Sequence, residues 1–292
     1  MKKFGCWLLA GSILWLVPCI ASAQEQSSAP PKVLVIMREF LKPGKTGATH
    51  EKSESAFVQA MTRAKWPTNY LGMTSLSGKS RALFFSFYAS FEAWEKDTAA
   101  MGKNATLAAA LDHAAFVDGE LLDSYDQSVF VYNEEFSLRP KYADVAHKRA
   151  MEIAVYHVRP GHSGEWTELV KKVMAAYEKA DPEAHWACFH NAYGGEGGTY
   201  IFITALKSAS EIDASMEAGK RFVPALGEDG LKKLDELEAS SVESFEHQLF
   251  LFNPKMSYVA DEWIKADPDF WKPKSSAPAA KPAPDAKEKP AQ

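Results

Sequence analysis

VLVIMREFLKPGKTG, residues 33–47, decides the fold, because the chain writes it a second time: MEIAVYHVRPGHSG occupies residues 151–164. In both stretches β-branched and aromatic residues run into a Pro-Gly turn, Pro43-Gly44 and Pro160-Gly161. That pattern reads as a strand closed by a turn. Farther along, FVYNEEFSL (130–138) returns as FLFNPKMSY (250–258), and matching residues stay about 118 positions apart throughout. A unit of that length is a complete small domain, too long for a solenoid repeat.

Working outward, each copy predicts the same series. The opening strands are Val33 to Leu41 and Met151 to Arg159. A helix follows, with Ser163 a candidate N-cap. In the second copy Trp166, Leu169, Val170, Val173, Met174 and Tyr177 form an apolar stripe at helical spacing, and in the first copy Phe57, Val58, Met61 and Ala64 continue one. Hairpins come next: Tyr70 to Leu76 with Arg81 to Tyr88, and His185 to Tyr193 with Thr199 to Leu206. Ser90 and Ser208 open further helices, Ala105 to Leu122 and Gly227 to Ala239 extend them, and strands Gln127 to Glu135 and Phe245 to Phe252 close the copies.

The order β-α-β-β-α-(α)-β is the split layout of a ferredoxin-like domain, so the fold class is α+β. Such a sheet carries helices on one face and leaves the other apolar. With patterns such as VYHVRPGHSGEW (155–166), the chain resembles the dimeric α+β-barrel superfamily, which includes antibiotic-biosynthesis-monooxygenase, EthD-like, stress-responsive and NIPSNAP-like domains. The resemblance covers most of residues 32–258. It implies two ferredoxin-like repeats whose antiparallel sheets pair as an intramolecular pseudo-dimeric barrel, and hence a monomer.

The resulting plan is a signal peptide at 1–23, a linker at 24–31, a first repeat at 32–140, a linker at 141–150, a second repeat at 151–259, a short helical extension at 260–271 and a Pro/Ala/Lys tail at 272–292. Lys2, Lys3, the apolar run Phe4 to Val17 and Ala21-Ser22-Ala23 fit a cleaved secretory signal, the run being short of the ~20 residues of a membrane span. The expected location is secreted or periplasmic, with no transmembrane segment in the mature chain. The tail lacks apolar periodicity and is expected to be disordered. In ADEWIKADPDFW, from Ala260, Trp263 and Phe270 can dock a short helix on the barrel. Cys188 is the one cysteine beyond the signal, so no internal disulfide forms. Acidic residues number 38 against 33 basic ones, which argues against nucleic acid as a partner.

Comparing the copies gives the main functional clue. Setting the first helices 116 residues apart matches His50, Ser53 and Glu54 with Trp166, Leu169 and Val170. A polar first turn of this kind is either solvated or lines a polar pocket. His50 and Glu54 share a helix face at i, i+4, which suits an acid–base pair or two metal ligands; the plainer expectation is a solvated helix start. In HWACFHNAY (185–193) strand alternation points Trp186, Cys188 and His190 one way and His185, Ala187 and Phe189 the other. A Trp and a His facing one cavity resemble the heme-degrading branch of the superfamily. That branch places its Asn, Trp and His elsewhere in the fold, so no residue here inherits the role. Cys188 and His190 are too few for a metal signature and lack a third group for a nucleophile. His157 falls on the opening strand of the second copy, where Phe40 sits in the first. His113, beside Asp112 and Asp118, reads as helix packing.

Pocket candidates are therefore His50, Glu54, His157, Trp186 and His190. No cofactor or metal is expected: GxGxxG, GxxxxGK[ST], GxSxG, HExxH and CxxC are all missing. The leading expectation is a non-catalytic protein that binds a small apolar or aromatic ligand or a partner protein. The alternative is a cofactor-independent, monooxygenase-like enzyme acting on an aromatic or quinol-like substrate.

Overall fold

The computed structural model describes residues 31–140 and 144–272. The expected signal, most of the linker after it and nearly all of the tail lie outside these residues. The first half runs β1 (Val33–Leu41), α1 (Ala48–Ala64), β2 (Tyr70–Ser75), β3 (Arg81–Tyr88), α2 (Phe91–Lys103), α3 (Ala105–Gly119), β4 (Leu122–Leu138). The second runs β5 (Ala150–Val158), α4 (Ser163–Ala180), β6 (Trp186–Tyr193), β7 (Thr199–Leu206), α5 (Ser210–Gly219), α6 (Phe222–Ser241), β8 (Val242–Phe252), followed by α7 (Asp261–Ala266) and α8 (Pro268–Trp271).

The eight strands close one antiparallel barrel in the order β1-β3-β2-β8-β5-β7-β6-β4. Closure leaves no free sheet edge. β1 lies between β3 and β4, and β5 between β7 and β8; each of these opening strands carries an irregularity one residue before its end, at Phe40/Leu41 and His157/Val158. The halves meet where β2 pairs with β8 and β4 with β6. Strand alternation then sorts the side chains. Leu34, Ile36, Phe85, Met73, Ile153, Phe189, Ile201 and Phe250 fill the interior, so the main core is drawn from both halves. Val33 and Val35 point to the opposite, helix-covered face. The functional side chains sit in this outer layer between sheet and helices.

Local chemistry explains the departures from the expected elements. Ser90 caps α2, its side chain accepting from Ala93 N at 3.1 Å. Ser163 does not cap α4: the helix begins at Ser163 itself, after His162. Ser208 likewise stands two residues ahead of α5, which begins without a side-chain cap. α6 starts at Phe222, and Gly227, at φ 71°, is the break that made the sequence look like a later start. β4 begins at Leu122, five residues before its expected Gln127, because the strand lengthens through exposed polar residues that carry no apolar signal. Beyond β8 the chain forms α7 and α8. Trp263 and Phe270 pack on the barrel core, and buried Trp271 donates its indole N–H to the Ala146 carbonyl at 2.7 Å. No helix among the described residues is long and apolar enough to cross a membrane.

Candidate functional site

In the first half, three elements bring four ionisable side chains to one buried point. Glu39 comes from β1, on the same strand phase as Val33 and Val35. His50 and Glu54 stand one turn apart on α1, and Asp118 lies in the last turn of α3 on the face marked by buried Leu107 and Ala114. His50 Nε2 is 3.1 Å from Glu39 Oε2, 3.6 Å from Asp118 Oδ1 and 3.9 Å from Glu54 Oε1. One ligand atom from each of the four lies within 4.8 Å of every other. Exposure is 4% for Glu39, 1% for His50 and 2% for both Glu54 and Asp118. The expectation of a solvated helix start is thus corrected: the polar turn is buried because α3 and β1 close over it.

Burial sets the electrostatics. Desolvation pushes the Glu39 carboxyl up, against the hydrogen bond to His50, and the charge of Asp118 adds to the rise. Glu54 is driven well up by burial, then by the charges of Glu39 and Asp118. Asp118 is raised by burial as well. Glu54 Oε1, Asp118 Oδ1 and His50 Nδ1 have no hydrogen-bond partner, and neither does the hydroxyl of nearby Tyr70, whose own rise comes from burial and then from Glu54 and Glu39. Buried polar atoms are normally satisfied.

The matching layer of the second half is apolar. Tyr156 stands 117 residues after Glu39, while Trp166 and Val170 stand 116 after His50 and Glu54. The Tyr156 and Trp166 rings pack at 5.3 Å between centroids. Beside them opens a cavity of about 790 Å³ between the sheet and α4, α5 and α6. Its walls include Tyr156, Trp166, Tyr177, Trp186 and Phe202, with Lys148, Glu152, His185, Glu211 and Arg221 as polar groups. Buried Lys148 lies 3.7 Å from Glu211. His185 Nδ1 is 2.8 Å from the Glu183 carbonyl. A carbonyl only accepts, so Nδ1 donates and Nε2 of the neutral ring keeps its lone pair.

The sequence candidates therefore separate. His50 and Glu54 join the buried quartet. Trp186 lines the cavity, its indole N–H donating to the Phe136 carbonyl at 2.8 Å. His157 and His190 line neither place. His157 lies 3.0 Å from the Thr199 hydroxyl, and half-buried His190 stands beside Tyr200, its protonated form disfavoured by desolvation. Cys188 is fully buried among Phe136, Val158 and Trp166, and burial pushes its thiol well up, away from nucleophile or ligand chemistry. His113 and Asp112 do not pack a helix core, whereas Asp118 is buried. Glu39 and His185 were missed. Glu39 had a signal, an acid on the apolar phase of a strand. Glu39, His50, Glu54 and Asp118 together could hold a metal ion.

No protein-family model and no curated protein matches the chain. Solved structures do. A protein named as a candidate monooxygenase from Fusobacterium nucleatum superposes with TM-score 0.50 at 10% identity, covering 76% of this chain and 93% of that one. A candidate monooxygenase from Lactobacillus acidophilus gives TM-score 0.47 at 10% identity, covering 76% and 94%. A chlorite dismutase from Candidatus Nitrospira defluvii gives 0.47 at 10%, covering 82% and 96%. The chain has the α+β-barrel fold. At this identity the likeness establishes fold alone. The leading expectation, a non-catalytic binding or interaction protein, is corrected: the superposed Fusobacterium nucleatum structure is named as a monooxygenase.

Proposed function

We propose that the chain is an oxidising enzyme of monooxygenase type, acting on an aromatic or quinol-like molecule held in the cavity of the second half. The cavity carries this reading. Its volume of about 790 Å³ falls within the range of small-molecule sites, about 300–1,000 Å³. Ring walls from Tyr156, Trp166, Tyr177, Trp186 and Phe202 suit an aromatic guest through edge and offset stacking. Lys148 and Arg221 can meet phenolate oxygen, and His185 Nε2 can take a proton. An arene with an activated methylene supplies every electron the reaction needs. Its C–H proton passes to His185 and the carbanion reduces dioxygen. One oxygen stays as the new carbonyl and the other leaves as water, R₂CH₂ + O₂ → R₂C=O + H₂O.

The architecture belongs to the same reading. Residues 32–140 and 151–259 are tandem copies, and their sheets close one barrel inside a single, monomeric chain. Residues 1–23 direct export to the periplasm or beyond. The repeated order of elements and the paired irregularities in β1 and β5 support the duplication.

The test is dioxygen uptake by the purified chain with a panel of anthrone-type phenols that carry an activated methylene, together with tryptophan quenching. Wild type should bind and consume oxygen. His185→Gln should keep binding and lose on the order of 10²-fold in rate, while Trp186→Ala should weaken binding first. Neither quenching nor uptake across the panel would overturn the proposal.

A further inference from the structure

The geometry points to a divalent transition-metal site in the first half, formed by Glu39, His50, Glu54 and Asp118. The observations are separate from the aromatic cavity, so either reading can fail without the other.

Three carboxyls and an imidazole share a volume from which water is shut out. If the three acids ionise together, like charges sit a few ångströms apart in low dielectric, which is among the least favourable arrangements a fold can hold. Protonation can relieve the repulsion, but a protonated carboxyl brings a donor that needs an acceptor. Glu54 Oε1 and Asp118 Oδ1 instead have no hydrogen-bond partner, although the Ser53 hydroxyl lies close enough to Asp118 to favour its carboxylate form. Both face the same point as His50 Nε2, at 3.9 and 3.6 Å. A cation there answers the charge and the open oxygens at once. Tetrahedral ligands of one ion bonded at about 2.1 Å are about 3.4 Å apart. The quartet, within 4.8 Å, closes on an ion with shifts of up to about 0.8 Å per ligand.

Donor type selects the metal class. Carboxylate oxygens with one imidazole suit Mn(II), Fe(II) or Zn(II). Calcium favours more ligands, all oxygen, and magnesium keeps several waters, for which a site this buried has no opening. Copper(I) favours thiolate or thioether ligands, and none is present among the four. The ligands join β1, α1 and α3, so the ion clips two helices to the sheet. Copy two fills the same layer with Tyr156, Trp166 and Val170, joining strand to helix by apolar packing instead.

The experiment uses the full chain, stripped with a chelator and then dialysed against Mn(II), Fe(II) without oxygen, or Zn(II). Metal content and melting temperature are read together. Wild type should retain about one ion per chain and melt roughly 5–10 °C higher when the metal is a hundredfold above its Kd. Glu54→Gln and His50→Gln should lose both the ion and the shift. His147→Gln, at an exposed histidine beside Asp144, should keep both. If the site variants fail to fold, the Co(II) spectrum of wild type decides. Bands of a protein-bound, low-symmetry ion support the site, and the unaltered aqueous spectrum refutes it. Substoichiometric metal with unchanged melting in wild type, or full retention in both site variants, would also overturn the inference.

Discussion

Trp166 tests how the outer layer of the second half is held together. Its side chain is buried and its ring packs against Tyr200 at 5.2 Å, Tyr156 at 5.3 Å, Phe202 at 6.1 Å and Phe136 at 6.4 Å. Truncating such a ring to alanine ordinarily costs about 3–5 kcal/mol. Two features lower that figure here. The indole N–H is buried without an acceptor, so deleting it removes a desolvation penalty of about 1–3 kcal/mol. The adjoining cavity also lets neighbours relax into the space. The expected loss for Trp166→Ala is therefore about 2–3 kcal/mol, or roughly 4–12 °C in melting temperature for a domain of this size. Trp166→Phe keeps most ring contacts and drops the orphan N–H, so it should cost about 1 kcal/mol or less. Urea denaturation followed by far-ultraviolet circular dichroism measures both, read as a midpoint shift at constant slope. The reasoning fails if the phenylalanine variant is as damaged as the alanine variant. It fails too if alanine costs less than about 1 kcal/mol, which would mean the rings do not carry the packing.

Two further outcomes follow from specific contacts. A Cβ at Gly72 would press on the Met256 carbonyl, 2.8 Å from its carbon and closer still to its oxygen, well inside van der Waals contact. Gly72 also pairs through its backbone with Asn253 and Ser257, so it cannot simply retreat. Gly72→Ala should destabilise by about 1–3 kcal/mol in the same urea assay, and an unchanged midpoint would count against so close an approach of the 254–256 turn to β2. His247 is raised above its ordinary 6.5 chiefly by its hydrogen bond to Glu152, with the Glu152 charge also contributing. A raised histidine adds stability below 6.5 that is lost as pH climbs through its folded value. His247→Gln should flatten the decline of the urea midpoint between about pH 6 and 8; parallel wild-type and variant curves would exclude the linkage.

Much of the scaffold could be read from residues alone because strands announce themselves by alternation and Pro-Gly stops. β1, β3 and β7 fall on their expected limits. What escaped has a physical cause in each case. The early part of β4 is exposed and polar, so period two left no trace there. The start of α6 was hidden by Gly227, whose positive φ interrupts the helix. His185 looked like the first residue of a strand pointing away from Trp186, but β6 begins one residue later and both line the cavity. Asp118 shares a face with Leu107 and Ala114 at helical spacing, but the helix alone does not show that β1 and α1 bring Glu39, His50 and Glu54 to the same point.

Glu39 shows what comparing the two halves can and cannot reveal. The mismatch between His50-Ser53-Glu54 and Trp166-Leu169-Val170 was visible, but it compared one helix with another. A helix surface alone does not say whether a polar turn meets water or a second polar surface. The strand beneath supplies the answer: β1 sets Glu39 where β5 sets Tyr156, so acid replaces ring on the sheet and on the helix together. Changes on two elements that face the same volume form one replacement. An isolated buried acid would cost stability, whereas several converging on an imidazole are what the proposed metal site requires. The two halves thus use one layer for opposite chemistry, charge in the first and aromatic surface beside an open cavity in the second. Substituting Glu39 alone with the tyrosine of the other half would leave His50, Glu54 and Asp118 facing a ring. The physical unit is the whole cluster.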